Sequence, residues 1–260
     1  MAYGFAVEAD MLAPIAAAVR DLAGPSAFAV FFEVQSAAGI PDVVAAVFDR
    51  DVLEKRGEDG FVTDPASLGA LLALSDARDA CRSLDARQVA AATGLTLAYV
   101  RSRVLPGLAA RGLVAMTGPG RWTAAGLYRS PAQTLVTVEA KLSDWRRGLG
   151  QAVRHAAGAD AAWLVLDAAR TRPAVSRAEW FRAAGVGLAG LDRDGTLRAL
   201  LPPVRGRALR ARRELLAERL AELHCSGAVS GPVSRVFGRE LTASTGADPR
   251  YADATERCSR

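Results

Sequence analysis

The chain has 260 residues, of which 50% are hydrophobic and 23% are charged, and it carries a formal net charge of +5 with a pI near 9.5. This length allows one large domain or two small ones, and the composition is that of a globular protein. No apolar stretch approaches the roughly 20 residues that a membrane-spanning helix needs, and the first residues lack a secretion-signal pattern, so we expect a cytoplasmic protein with no membrane partner.

The first predicted elements are a helix and two strands. Apolar residues recur at helical spacing over Ala6–Leu22, and the runs Phe28–Val34 and Asp42–Phe48 are strand-like, with a Gly-Ile-Pro turn between them. From about residue 53 to residue 129 the sequence is mostly helical, and sheet-like sequence resumes only at Thr134. This long helical block interrupts a pattern of strands and is therefore predicted to be an insert.

After the block, strands alternate with helices. The predicted elements are a strand ending at residue 141, a helix over 144–157, a strand over 161–166, a short helix ending at 184, a hairpin of strands 186–191 and 196–201, and a helix over 208–223. Such alternation predicts an α/β core with helices on both faces of the sheet. We expect a discontinuous core of residues 1–50 and 131–225, an insert of residues 51–130, and a poorly ordered tail of residues 226–260.

Lys141 stands out because it is one of only two lysines among 33 basic residues and it ends the strand-like run 135–141. Side chains alternate across a strand, so Glu139 and Lys141 share one face while their apolar neighbours share the other. Lysine is a compact cation whose protonation burial can tune, which arginine does not offer. Asp42 begins another apolar strand directly after a turn, where a carboxylate has no packing purpose. If the two strands are neighbours, two carboxylates and an ammonium converge.

Two carboxylates on adjoining strands suit Mg²⁺, which prefers oxygen ligands and keeps several of its waters. The chain has only two histidines, so a histidine-rich metal centre is excluded. A metal held in this way can polarise a phosphodiester and lower the pKa of a bound water. Lys141 could orient that water or stabilise the developing charge. The three side chains therefore suggest metal-dependent phosphodiester hydrolysis.

The segments Pro41-Asp42 and Glu139-Ala140-Lys141 resemble the motif that gives the PD-(D/E)XK nuclease superfamily its name. The order of the predicted elements also matches: a helix, a strand hairpin that carries the aspartate, the strand with the second motif, a helix and a further strand. The resemblance implies a restriction-endonuclease-like mixed sheet flanked by helices. It further implies a DNA endonuclease dependent on Mg²⁺ (or Mn²⁺), with Asp42 and Glu139 as metal ligands and Lys141 assisting the attacking water.

The resemblance extends to further side chains. Glu33, on the predicted strand before Asp42, is placed like an additional carboxylate that some branches use at the metal site, and Glu8 in the first helix is the rival candidate. Gln151 and His155, four residues apart on the helix after the second motif, lie on one helix face and resemble a QxxxY motif with His in place of Tyr. We expect Gln151 to support the catalytic site and His155 to pack or hydrogen-bond rather than catalyse.

The insert separates Asp42 from Glu139 by 97 residues, which exceeds the short hairpin usual in the superfamily. Within it, residues 85–93 are predicted to form a helix capped by aspartate, Gly94 and Leu95 a tight turn, and Thr96 the start of a second helix. A strand, a Gly-Pro-Gly tip and another strand follow. This mostly helical module resembles a winged helix-turn-helix, which implies DNA as a partner, with the second helix in the major groove.

The second helix of the insert presents the side chains that we expect to contact DNA. Arg101 and Arg103 on this helix and Arg121 after the wing tip are candidate phosphate contacts, and Tyr99 is placed nearer the bases. Pro106 is expected to kink or shorten the helix. A winged module can instead serve a protein interface.

Two other functions remain open from the sequence. The first is a DNA-binding transcriptional regulator that keeps a nuclease-like core as a scaffold, and the second is a protein-interaction module in a defence or repair complex. The presence of all three motif residues favours the nuclease, because a scaffold would tolerate their loss. Members of the superfamily often dimerise to cut both strands, so a homodimer is compatible with the resemblance, although the sequence has no dimer signature.

Overall fold

The computed structural model of the chain describes residues 4–23, 29–204, 206, 208–229, 235–236 and 239–240. In these residues a six-stranded mixed sheet carries helices on both faces, and a second, mostly helical unit has a three-stranded sheet of its own. No helix among the described residues is both long enough and apolar enough to cross a bilayer.

The elements before and within the insert run in chain order. The first are α1 (Ala9–Ala18), α2 (Arg20–Ala23), β1 (Ala29–Phe32), β2 (Val43–Phe48) and α3 (Arg50–Asp59). The insert then contains α4 (Pro65–Asp79), β3 (Leu84–Asp85), α5 (Ala86–Thr93), α6 (Leu97–Tyr99), a π-helical turn (Val100–Val104), α7 (Leu105–Ala110), β4 (Val114–Gly118) and β5 (Arg121–Ala124).

The chain then returns to the large sheet. The remaining elements are β6 (Ala132–Lys141), α8 (Trp145–Ala156), β7 (Ala161–Asp167), a 3₁₀ turn (Ala168–Arg170), α9 (Arg172–Val175), α10 (Ala178–Ala184), β8 (Gly187–Leu191), β9 (Leu197–Leu201), α11 (Arg210–Cys225), β10 (Arg235–Val236) and β11 (Arg239–Glu240). Strands β10 and β11 pair antiparallel within the predicted tail, and the rest of that tail beyond residue 229 lies outside the described residues.

The large sheet has the strand order β1-β2-β6-β7-β8-β9. Strand β2 is antiparallel to β1 and β6, the strands β6, β7 and β8 are parallel, and β9 is antiparallel to β8. The predicted α/β class with a mixed sheet is therefore confirmed. The topology places β2 and β6 side by side although the insert separates them in the chain.

Helices cover both faces of this sheet because its strands are apolar on both sides. On one face, Ile15 of α1 packs in a cluster with Val138 of β6. On the other face, Leu216 of α11 packs with Leu135 of β6, and α8 packs on β7 through a neighbouring cluster. The alternation of β6 therefore directs Glu139 and Lys141 to the face that carries α8, away from Val138.

Aspartate side chains cap the N-termini of several helices. Their carboxylates accept hydrogen bonds from backbone N–H groups of the first helical turn, at Asp49 for α3, Asp64 for α4, Asp85 for α5 and Asp144 for α8. These N–H groups have no partner within the helix, and a cap of this kind contributes about 1 kcal/mol. Asp144 fixes the start of α8 three residues after Lys141, and this positions the helix over the second motif.

The structure moves several of the predicted boundaries. The predicted opening helix over 6–22 begins at Ala9 and is divided at Val19, and the strand predicted over 28–34 ends at Phe32. The residues of the predicted insert, 51–130, contribute to two apolar clusters. Leu53 of α3 packs in the cluster of the large sheet, whereas a separate apolar cluster begins at Val62. We call residues 62–128, which share that second cluster, the insert module.

Candidate active site

Asp42 and Glu139 meet at one end of the β2–β6 pair. The antiparallel register pairs Val43 with Val138, so Asp42, which immediately precedes β2, lies opposite Glu139. Asp42 precedes the first residue of β2, and its side chain continues the hydrogen bonding to β6. The backbone N–H of Ala140 donates to Asp42 Oδ2 at 2.7 Å. The two carboxylates predicted from the sequence are therefore on the same side of the sheet.

Lys141 lies at the centre of the cluster. Its Nζ is 2.8 Å from Glu139 Oε1, 3.3 Å from Glu8 Oε2 and 3.9 Å from Asp42 Oδ2, and it donates to the Ala140 carbonyl at 2.9 Å. Glu139 is 1% exposed, and Lys141 is also buried. Three carboxylates from α1, β2 and β6 thus surround one ammonium, in agreement with the predicted convergence of Asp42, Glu139 and Lys141.

His155 holds the other oxygen of Glu139. Its Nε2 lies 3.1 Å from Glu139 Oε2, and its Nδ1 lies 3.2 Å from the carbonyl of Ala38, in the turn that leads to Asp42. Both neighbours are acceptors, and a neutral imidazole has one N–H, so the tautomer decides which of the two contacts is a hydrogen bond from the ring. His155 therefore joins the turn before Asp42 to Glu139 on β6, which is consistent with the expected hydrogen-bonding role.

Two glycines that the sequence did not single out allow this close packing. Gly39 has φ +110°, and a Cβ there would lie 2.9 Å from His155 Cε1. A Cβ on Gly148 of α8 would lie 2.9 Å from Lys141 Cγ. Any other residue at either position would push the helix or the turn away from the cluster. Nothing in the sequence distinguishes these two from the other glycines, because the contacts are long-range.

Glu33 does not join the cluster. Its backbone has φ +48°, which ends β1, and its N–H donates to the Asp42 carbonyl at 3.2 Å. Its side chain makes no hydrogen bond or ion pair with a described residue, and partial burial raises the pKa of its carboxyl. The rival candidate Glu8 contacts Lys141 Nζ, and its Oε1 also accepts from the backbone N–H of Leu142 at 3.4 Å. Glu8, rather than Glu33, is the additional carboxylate of this cluster.

Gln151 lies on α8 one turn before His155, on the same helix face. Its Oε1 is buried and accepts no hydrogen bond from the described residues. A buried amide oxygen without a hydrogen-bond donor is energetically unfavourable, and a water or a bound ion can supply the missing partner. Gln151 makes no direct contact with Asp42 or Glu139, so it lies beside the cluster.

The electrostatics of the cluster are unequal. Burial, followed by the negative charge of Glu139, raises the pKa of Asp42 to about 7, and the N–H of Ala140 and the ammonium of Lys141 offset this only in part. Burial also acts against the charged form of Glu139, but the hydrogen bond from His155 and the contact with Lys141 lower its pKa overall. The pKa of Lys141 is raised despite burial, because Glu139, Asp42 and Glu8 favour the ammonium. Asp42 is the carboxylate without sufficient positive charge beside it.

The donor set fits a divalent cation. Three carboxylates face one ammonium, so the cluster has an excess of negative charge. Glu139 Oε1 contacts Lys141 as an ion pair at 2.8 Å but receives no hydrogen bond from a described residue. No group of three His, Cys, Asp or Glu side chains in the described part is arranged to hold a metal by itself. An ion at Asp42 and Glu139 would keep water in its remaining positions, as Mg²⁺ does.

The insert module contains the predicted pair of helices and hairpin. Asp85 and Gln88 form a reciprocal cap at the start of α5, Gly94 ends α5 in the left-handed conformation, and Thr96 Oγ1 accepts from the N–H of Tyr99 at 3.3 Å. Strands β4 and β5 pair antiparallel, and β3 pairs with the outer side of β5. The element order is therefore helix, strand, helix, helix and hairpin.

Pro106 does not end the second helix of the module. The helix continues from Leu97 to Ala110, and it widens into a π turn over Val100–Val104, directly before the proline. Proline lacks an N–H and its ring crowds the carbonyl four residues earlier, which a wider turn accommodates. The expectation of a short helix is thus replaced by a continuous helix with a π turn.

The side chains expected to contact DNA differ in availability. Tyr99 is 42% exposed, and Arg101 and Arg103 are exposed with no hydrogen bond or ion pair to a described residue. Arg121, in contrast, donates to the Ser83 carbonyl and to Gln88 Oε1 at 3.1 Å. Arg121 therefore holds the hairpin against the start of α5, and three of the four side chains remain available to a partner.

A cavity of about 340 Å³ lies beside these residues, between the second helix and the hairpin tip. Arg87, Arg101, Pro119 and Gly120 are among its lining residues.

No protein-family model, no curated protein and no solved structure matches this chain.

Proposed function

We propose that the chain is a DNA endonuclease dependent on Mg²⁺ (or Mn²⁺), with a restriction-endonuclease-like core of the PD-(D/E)XK type and an inserted winged helix-turn-helix. The observation that carries the proposal is that the carboxylates of Asp42 and Glu139 both lie within 4 Å of Lys141 Nζ. Asp42 and Glu139 are 97 residues apart in the chain. A buried cluster of charges in an apolar sheet destabilises a fold and is retained where chemistry needs it. The β1–β2 hairpin before β6 and the helix α8 after it agree with the superfamily order.

The residues have separate roles in the proposed reaction. Asp42 and Glu139 would hold the metal, which when bound would polarise the phosphodiester and activate water. His155 keeps Glu139 oriented through Oε2, while Oε1 contacts Lys141 Nζ at 2.8 Å and receives no hydrogen bond from a described residue. The pKa of Lys141 is raised, so its side chain is an ammonium at neutral pH. It therefore acts as a hydrogen-bond donor that stabilises charge on the phosphate, and does not take the proton from water.

The insert module is the proposed DNA-reading part. The pair of helices followed by a hairpin supports this proposal, and the exposed Tyr99, Arg101 and Arg103 lie on the second helix, which winged helix-turn-helix modules place in the major groove. Exposed arginines without carboxylate partners suit phosphate oxygens. Gly120 at the hairpin tip shares a cavity with Arg101, so the wing and the helix face the same side.

A cleavage assay tests the nuclease. Supercoiled, linear and branched DNA are incubated with the protein in Mg²⁺, Mn²⁺ or EDTA, beside the variants Asp42→Asn and Glu139→Gln. The matched control is Glu179→Gln, which changes an exposed carboxylate on α10. We expect metal-dependent cleavage by the wild type and the control, and a loss of at least a hundredfold in both site variants. Equal cleavage by all four proteins would sink the assignment.

The same assay separates the nuclease from a regulator. Tight DNA binding without cleavage of any substrate, in either metal, favours the DNA-binding regulator on a nuclease-like scaffold. The free Arg101 and Arg103 serve that function equally well, because they do not depend on the metal site. Absence of both binding and cleavage contradicts both proposals.

A further inference from the structure

A cavity of about 420 Å³ lies between the core and the insert module, at the end of β2 opposite to Asp42. It is lined by α3, by the turn that follows α7 and by the connection from β5 to β6. Its volume is within the range of small-molecule sites, which often form where two units of a protein meet. The cavity shares no lining residue with the proposed nuclease cluster.

The lining of this cavity is strongly cationic. Its positively charged residues are Lys55, Arg56, Arg111 and Arg129, and its single carboxylate is Asp51. Lys55 is the only lysine of the chain besides Lys141. Arg56 is paired with Glu218 at 2.9 Å and Arg129 with Asp49 at 3.0 Å, so Lys55 and Arg111 are the two cations of the lining without a carboxylate partner among the described residues. Two such cations in one cavity repel each other, which favours an anion between them.

Several donors in the cavity have no acceptor. The Arg56 side chain is 9% exposed, its Nε donates to Glu218 Oε1 at 2.9 Å, and its guanidinium lies 5.1 Å from the centre of the Tyr128 ring. Among the described residues nothing accepts from its two terminal nitrogens. An arginine that is fixed at Nε and has no protein acceptor at its terminal nitrogens can donate those N–H groups to a bound anion.

Two more donors border the same space. Arg111 uses only Nη2, which donates to the carbonyls of Gly60 at 2.8 Å and Phe61 at 3.0 Å. Lys55 Nζ has no contact with an acceptor in the described part of the chain. A phosphate group presents several acceptor oxygens and up to two negative charges, and a guanidinium can bind two of those oxygens at once. A carboxylate offers fewer oxygens than these donors can use.

We propose that this cavity is a phosphate-binding site formed by Lys55, Arg56 and Arg111. The phosphate comes either from a nucleotide-sized small molecule or from a DNA strand that passes the insert module. The proposal does not depend on the nuclease activity, because the cavity and the carboxylate cluster around Lys141 lie at opposite ends of β2.

The test is calorimetric titration of the full chain with pyrophosphate in EDTA. The variants are Lys55→Gln and the double variant Lys55→Gln/Arg111→Gln. Arg193→Gln, at an exposed hairpin tip far from the cavity in the fold, is the matched control. Arg56 is left intact, because its loss would leave Glu218 buried without a counter-charge. Circular dichroism shows that each variant is folded.

We expect saturable pyrophosphate binding, weakened roughly fivefold by the single change and more than tenfold by the double change, with the control unchanged. A second titration with a short DNA duplex, with and without pyrophosphate, identifies the source. Competition between the two ligands assigns the phosphate to DNA, and independent binding assigns it to a small molecule. If neither pyrophosphate nor DNA binding depends on Lys55 and Arg111, the cavity is not a phosphate site.

Discussion

At the scale of the residue, Glu139 shows how a carboxylate is retained inside an apolar sheet. Its two oxygens contact Lys141 Nζ and His155 Nε2, at 2.8 and 3.1 Å. Without such partners a buried carboxylate takes up a proton or destabilises the fold. Asp42 accepts from the backbone N–H of Ala140 at 2.7 Å, but its nearest cation among the described residues is Lys141 at 3.9 Å, and it lies beside the charge of Glu139. The negative charge of the ionised carboxylate is therefore less well stabilised at Asp42 than at Glu139.

Replacement of His155 tests its role as a positioning residue. In His155→Phe the Oε2 of Glu139 loses its donor, and we expect a loss of about 1–3 kcal/mol in the free energy of unfolding. His155→Gln keeps an N–H donor and should recover part of this. If His155 orients Glu139 for a metal, His155→Phe also raises the Mg²⁺ concentration needed for half-maximal cleavage, measured at a temperature where the variant is folded. A change in stability with an unchanged Mg²⁺ requirement would leave His155 with a packing role only.

The pH dependence of Asp42 can be measured without metal. Its folded pKa of about 7 lies above the ordinary value of 3.8, so the folded state binds the proton more tightly. The stability that this group contributes is fully present below about pH 3.8 and is lost as the pH rises through about 7. In EDTA at pH 8, Asp42→Asn should therefore be more stable than the wild type, by on the order of 2 kcal/mol, and the gain should vanish near pH 4. Asp21→Asn, an exposed control, should change nothing at either pH, and a destabilised Asp42→Asn at pH 8 would contradict the assignment.

Part of the site could be predicted at this scale, and part could not. Asp42, Glu139 and Lys141 were recognisable because strand alternation fixes which side chains share a face. The choice between Glu8 and Glu33 was not, because it depends on the left-handed backbone at Glu33 and on where α1 packs against β6. Contacts between segments distant in the chain leave no periodic signal.

At the scale of the element, α11 joins the core to the insert module. Glu218, in the middle of α11, is fully buried and accepts from Arg56 Nε at 2.9 Å, from the N–H of Val62 at 2.9 Å and from the Tyr128 hydroxyl at 3.1 Å. Glu214, one turn earlier, contacts Arg213 at 3.0 Å. Burial and the two glutamates raise the pKa of Tyr128, which keeps its hydroxyl a donor. One helix therefore fixes both ends of the module through hydrogen bonds.

Replacement of Glu218 tests this connection between α11 and the insert module. Glu218→Ala leaves Arg56 buried without its counter-charge, so we expect a loss of about 3–5 kcal/mol by denaturant unfolding. Glu222→Ala, at an exposed position on the same helix, should stay within about 0.5 kcal/mol of the wild type. In Arg56→Met/Glu218→Leu both charges are gone, and much of the loss should be restored. A double variant as unstable as Glu218→Ala would show that packing, and not the charge pair, dominates here.

The elements themselves were largely predictable where local signals are strong. The caps at Asp85 and Thr96 and the left-handed Gly94 specify the two helices of the module from short-range chemistry. The π turn at Val100–Val104 was missed, because proline at 106 predicts a disturbance but not its form. The sequence does not show which apolar cluster α3 joins, because its packing through Leu53 against the large sheet is a long-range contact.

At the scale of the whole molecule, the proposed DNA-reading module and the proposed nuclease core are joined in one chain. The module enters between β2 and β6, the two strands that carry the motif residues, so its proposed DNA-binding helix is tied to the site by α11 and by the strands themselves. Phosphate contacts dominate the affinity of such proteins and make it depend on salt.

The module's contribution can be measured by DNA binding in EDTA at several salt concentrations. Arg101→Ala/Arg103→Ala should weaken binding by about tenfold or more at low salt and reduce the salt slope by about two. Arg182→Ala, which removes a charge from α10 in the core, should leave both quantities unchanged. Unchanged affinity and slope in the double arginine variant would show that DNA does not bind through this helix.

In the proposed active site, Lys141 and its neighbouring carboxylates carry out DNA cleavage, and a single-turnover experiment measures this step. Protein in excess is bound to labelled DNA, Mg²⁺ is added, and cleavage by the wild type and by Lys141→Ala is followed in samples whose DNA binding is measured in parallel. We predict equal binding and a cleavage rate that is about 10²–10³ times lower in the variant. Equal cleavage rates for the two proteins would contradict the proposed active site.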